Sequence, residues 1–180
     1  MRKVVRKLFW AWDFDKEEKW LNEMAAKGLA LCAVGFCRYE FEQTLPGEYA
    51  VCLQMLENKP THPESEKYLE FIEETGAEHV GSYLSWVYFR KKTEDGAFEL
   101  MSDYASRVKH LTNIIRLLWV LGALNLAAGC YNLILFGVWG HAISLLGLVN
   151  IALTVFVGYG IYRLLQKREK LKKEQQVFEG

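Results

Sequence analysis

Thiols and imidazoles have the widest chemical reach of any side chains, and this chain holds four of each. They are Cys32, Cys37, Cys52 and Cys130, and His62, His79, His110 and His141. Four residues separate Cys32 from Cys37 and no second cysteine pair follows, which is not zinc-ribbon spacing. No histidine has another at ligand spacing. The chain has no Gly-rich phosphate loop, no G-x-S-x-G and no H-E-x-x-H. Nothing sets a nucleophile beside a base. The expectation is therefore no catalytic residue, no metal site and no cofactor. The cysteines read as free buried thiols, His62 and His79 as loop residues beside a helix, and His110 as a solvated interfacial residue, with titration near the membrane as the other use.

The elements that hold these residues are legible first through a gap in charge. Between Arg116 and Arg163 lie 46 residues, Leu117 to Tyr162, without Asp, Glu, Lys or Arg. A membrane-crossing helix needs about 20 apolar residues. Two such spans fit, at about 115–136 and 142–162, joined by the turn FGVWGHA, Phe136 to Ala142. Gly137 and Gly140 loosen helix there, and Trp139 and His141 suit a membrane–water interface. A soluble helical hairpin would keep a polar stripe, whereas only Asn125, Asn132, Ser144, Asn150 and Thr154 interrupt this run. Lys and Arg flank the pair on both outer sides and are missing from the turn, so both termini are expected in the cytoplasm, with a multi-pass protein in the cell membrane. No signal-peptide pattern is seen: the N-terminal apolar run is short and soon meets Asp13 and Asp15. The basic tail, 163–180, is expected to continue the second helix and lie near anionic headgroups. Asn125 and Asn132 are seven apart and share a face with Gly122 and Gly129. That pattern predicts helix packing; a transport path is the other use, and would require an oligomer.

Residues 1–105 read as a cytoplasmic α+β domain, and 106–162 as the membrane hairpin. The stretch 3–11 alternates as a strand. Asp15 and Glu18 form a capping-box pattern, Trp20, Leu21, Met24 and Ala25 make one apolar face, and Gly28 stops the helix. Leu29–Gln43 reads as one strand, Glu48–Leu56 as its hairpin partner through TLPG, and Pro63 opens a second helix that Gly76 closes. His79–Lys92 reads as a fourth strand, with a turn at Glu94–Gly96 and a short fifth strand after it. The order is βαββαβ, ferredoxin-like, with both helices on one sheet face. Strand four has apolar residues at both parities, so the second face is expected to be covered by a second copy, a partner or the membrane surface. Trp10, Trp12, Trp86 and Tyr88 are the candidate interaction face. Over residues 1–116 there are 16 Lys+Arg against 19 Asp+Glu, which argues against nucleic acid as a partner.

The segments FWAWDFDKEEKWLNEMAAKGL, VGFCRYEFE, PGEY, YLEFIEETGAEHVGS and WVYFRKK, followed by two spans, resemble an uncharacterised family of small Firmicutes-type membrane proteins, a domain of unknown function. Members of that family are often encoded beside PadR-type regulators, which implies a regulated membrane process such as envelope or drug response. The resemblance carries over no catalytic residue. The function expected is a non-enzymatic integral membrane protein whose cytoplasmic domain is an interaction or sensory module, through protein capture or self-association. The alternative is an accessory subunit of a transporter or efflux assembly.

Overall fold

The computed structural model describes residues 2–101, 103–139 and 146–179. The chain divides after Ser106 into two compact units. The first unit contains β1 (Lys3–Arg6), α1 (Phe14–Ala25), β2 (Leu29–Gly35), β3 (Arg38–Gln43), β4 (Tyr49–Met55), α2 (Pro63–Glu74), β5 (Glu78–Tyr83) and β6 (Trp86–Lys92).

That order is βαββ written twice. Each half makes a three-stranded antiparallel sheet, β1-β3-β2 and β4-β6-β5. The pairing repeats in detail. A bulge falls between Leu31 and Ala33 in the first sheet and between His79 and Gly81 in the second. The same step of 48 residues separates the helix-ending glycines Gly28 and Gly76, both at positive φ. Gly28 is required twice over: its φ is +77°, and an added Cβ would lie 2.8 Å from the Thr44 carbonyl oxygen.

The single ferredoxin-like βαββαβ sheet is therefore corrected to two sheets. The cause is local. Two stretches expected as single strands, Leu29–Gln43 and His79–Lys92, each fold back as a tight hairpin, with tips at Phe36–Cys37 and Leu84–Ser85. The TLPG turn, expected to close a hairpin, instead carries the chain from one sheet to the other. No strand follows β6 among the described residues; Thr93–Asp95 is a 3-10 turn. The first strand ends at Arg6 rather than near residue 11.

The helices lie on different sides. Leu21 of α1 packs with Leu31, Tyr39 and Phe41 of the first sheet and with Val51, Leu53 and Tyr88 of the second, so α1 covers both. Alternation sends Val87 and Phe89 to the opposite face of β6, where they meet Ile72, Tyr68 and Leu69 of α2, with Phe98 and Leu100 alongside. Both faces of β6 are thus buried by the chain itself. That explains its apolar residues at both parities and removes the need for an outside cover there.

α1 also closes a strand edge. β4 bonds β6 on one side. On its other side the Asn22 side chain accepts from Val51 N–H at 2.9 Å and donates to Val51 C=O at 2.7 Å, and Glu18 Oε2 accepts from Leu53 N–H at 3.0 Å. The capping box expected of Asp15 and Glu18 is not formed: the helix begins at Phe14, and Glu18 serves the sheet. At the unit's opposite edge, β1 is short, mostly exposed and basic, a composition that discourages strand addition. β2 and β5 run beside each other without a shared ladder. There Arg90 donates to Leu31 C=O at 3.0 Å, pairs with Glu42 and Glu78, and lies 4.7 Å from the Tyr49 ring centroid.

The second unit is two long helices, α3 (Tyr104–Trp139) and α4 (Leu146–Glu179). α3 starts at Tyr104, where Asp103 accepts from Ser106 N–H at 2.8 Å. It runs through Trp139, past Gly137 where a turn was expected. The rest of that turn, His141, Ser144 and the expected start of the second span at 142 lie outside the described residues. Both helices are long and apolar enough to cross a membrane, and only 17% of the most apolar window of each is buried. A soluble core helix would bury most of it. Asn125 donates to the Asn150 carbonyl and to Thr154 Oγ1, the latter at 3.0 Å. Gly129 faces Asn150, Ile151 and Gly147 so closely that a Cβ would meet them at 3.1–3.3 Å, and Gly122 faces Val157. These three residues pack the helices together. Asn132 is half-buried and makes no hydrogen bond to the described residues.

Candidate functional site

At one end of the first unit the two hairpin tips and the chain after β1 enclose a cleft of about 190 Å³. Its walls are Leu8, Phe9 and Trp10, the first tip at Phe36, and Tyr83, Leu84 and Trp86 at the second tip. The tips are open to solvent: Phe36 is 72% and Leu84 73% exposed. Phe36 rests on Tyr83 with ring centroids 5.7 Å apart.

The floor is a carboxylate. Glu17, in the first turn of α1, is 7% exposed. Tyr39 of β3 and Tyr88 of β6 both donate to its Oε1, each at 2.7 Å. One oxygen thus ties α1 to both sheets. Oε2 takes no hydrogen bond from the described residues, and Glu17 lines the cleft. No lysine or arginine among the described residues pairs with it. Lys7, the cation of the lining, sits over the rings of Phe9 and Trp20 at 4.8 and 4.5 Å.

Burial sets the electrostatics. Desolvation holds the Glu17 carboxyl above its ordinary value, with the two tyrosine hydrogen bonds pulling the other way. Both tyrosines are pushed well up by burial and by the adjacent Glu17. Elsewhere in the unit burial lifts the Cys52 thiol to about 12, which leaves it an inert core thiol.

A pH dependence follows. A carboxyl raised on folding gives stability that is full below its unfolded value near 4.5 and lost as pH rises through the folded one. Glu17→Gln keeps an acceptor for both tyrosines and never charges. Thermal melts of the full chain in mild detergent should show the variant matching the native protein at pH 4 and exceeding it at pH 8. Each pKa unit is worth about 1.4 kcal/mol. Parallel melting curves at both pH values would show that Glu17 carries no such penalty.

The residues singled out from sequence divide. Trp10, Trp86 and Tyr88 reach the cleft. Trp12 is buried and stacks on Trp10, ring centroids 5.6 Å apart and planes 9° from parallel. Tyr88 is 6% exposed, so it is part of the floor and not of an open sheet face. Glu17 and Tyr39 were missed as site residues. The signal was present: Glu17, Leu21 and Ala25 are the buried residues of α1, at i, i+4 and i+8. An acid in an apolar stripe is the anomaly to pursue, since buried charges need partners.

A duplicated βαββ unit carrying a carboxylate-floored aromatic cleft, followed by two apolar helices, defines a small two-repeat α+β domain joined to a helix pair. The family described as Protein of unknown function (DUF2812) matches residues 13–123, and this chain belongs to it. No curated protein matches the chain, and no solved structure does.

Proposed function

We propose that the protein is a non-enzymatic sensory module anchored in the cell membrane by α3 and α4, with both termini cytoplasmic. Its first unit takes a small molecule into the cleft and passes occupancy to a protein partner or a second copy. One observation carries this reading: Glu17 Oε1 holds Tyr39 of the first repeat and Tyr88 of the second, with the cleft above them. A ligand acting on Glu17 acts on the join between the repeats. The bonds of Asn125 to Asn150 and Thr154 occupy the amide donors of that side chain within the helix pair, which supports an anchoring role over a transport path.

The test is thermal stabilisation of the full chain in nonionic micelles by a panel of small aromatic molecules of mixed charge. A ligand at 100 times its Kd adds about 2.7 kcal/mol. At least one member should stabilise the protein, and Trp10→Ala should weaken that effect at least about fivefold, about 1 kcal/mol. A panel without effect, or an effect indifferent to Trp10, sinks the reading.

A further inference from the structure

We infer that the cleft is a site for a small aromatic or alkyl organic cation, held by the Glu17 carboxylate below and by aromatic faces at the sides. The inference rests on the small-molecule reading above and names the ligand's charge. Three observations carry it. Glu17 is more than nine-tenths buried, and its hydrogen bonds come from two neutral hydroxyls, both on one oxygen. A buried charge is costly unless it is paired, and no cation among the described residues pairs with Glu17. The walls are ring-rich, through Phe9, Trp10, Tyr83 and Trp86, and ring faces attract cations.

The same features disfavour other ligands. An anion would meet Glu17 with only Lys7 to offset it, and that ammonium is already placed over two rings. A neutral ligand would gain the apolar walls and leave the carboxylate without its countercharge. The cleft volume, about 190 Å³, suits a molecule smaller than the usual drug-sized ligand.

Three probes of similar size separate the cases: benzyltrimethylammonium, benzyl alcohol and phenylacetate. Binding to the full chain in nonionic micelles at pH 8 is followed by tryptophan fluorescence and checked by calorimetry. The cation should bind at least about tenfold tighter than either other probe, the equivalent of about 1.4 kcal/mol. Glu17→Gln should lose that preference while still unfolding in one cooperative transition, at or above the native melting temperature. Glu17→Asp, which keeps the charge and retracts the carboxylate, should retain part of it. Equal or tighter binding of benzyl alcohol or phenylacetate overturns the cation assignment and leaves the small-molecule reading standing. Cation binding unchanged in Glu17→Gln overturns it too. Binding of none of the three overturns it as well, and the mixed-charge panel then decides whether the wider reading falls with it.

Discussion

Phe41→Ala is expected to cost the first unit about 3–5 kcal/mol. Phe41 is fully buried on β3, in the cluster that α1 shares with both sheets. Trp20 meets it edge to face with ring centroids 5.7 Å apart, and the same indole meets Tyr39 at 5.1 Å. Truncation removes that contact and leaves a cavity under a helix bonded to β4, which limits how far α1 can settle. Domains of this size are stable by only about 5–15 kcal/mol, so the loss is a large share of the total. Urea unfolding of the full chain in mild detergent, read by tryptophan fluorescence, should show the midpoint falling by roughly 1–3 M. Phe36→Ala, at the exposed tip, is the control and should stay within about 0.5 kcal/mol. Equal shifts for the two variants would remove Phe41 from the core.

The second large effect is expected from Asn22→Ala. One amide satisfies both polar groups of Val51, a buried residue on the outer side of β4. Removing it orphans a donor and an acceptor, each worth about 1–3 kcal/mol when buried, for a total of about 2–6 kcal/mol. Asn22→Asp keeps the acceptor for Val51 N–H and sets a carboxylate against Val51 C=O, so it should not rescue. The local readout is amide hydrogen exchange: peptides covering β4 should lose protection ahead of those covering β3. Unchanged β4 protection would mean that water or a shifted helix replaces the amide at no cost.

Several features were legible in the sequence because single residues report them. Pro63 and Gly76 bracket α2, Gly28 ends α1, and the charge-free run marks the apolar helices. The hairpin tips were not legible. Tight two-residue hairpins are signalled by Asn-Gly or Asp-Gly, but here positive φ falls on Cys37 (51°) and Leu84 (55°). Such residues carry a local cost of about 1–2 kcal/mol, and nothing in one-dimensional periodicity records that. Each hairpin therefore reads as one long strand. The duplication hides for a related reason: at a 48-residue step only a few identities survive, among them Leu21 with Leu69, Gly28 with Gly76 and Phe41 with Phe89. Glu17 was legible as an acid near a helix start and illegible as a site, because its meaning depends on Tyr39 and Tyr88, far away along the chain and close in space.

The strip between β2 and β5 has a mechanical meaning. No backbone ladder crosses it; it is stitched by Arg90 and by the fit of Gly81 against Val34, where a Cβ would lie 3.3 Å from the valine methyl. Two sheets joined this way can shear past one another by exchanging side-chain partners, with every ladder bond inside each sheet kept. Glu17, clasping one tyrosine from each side, is a pin across the two sheets.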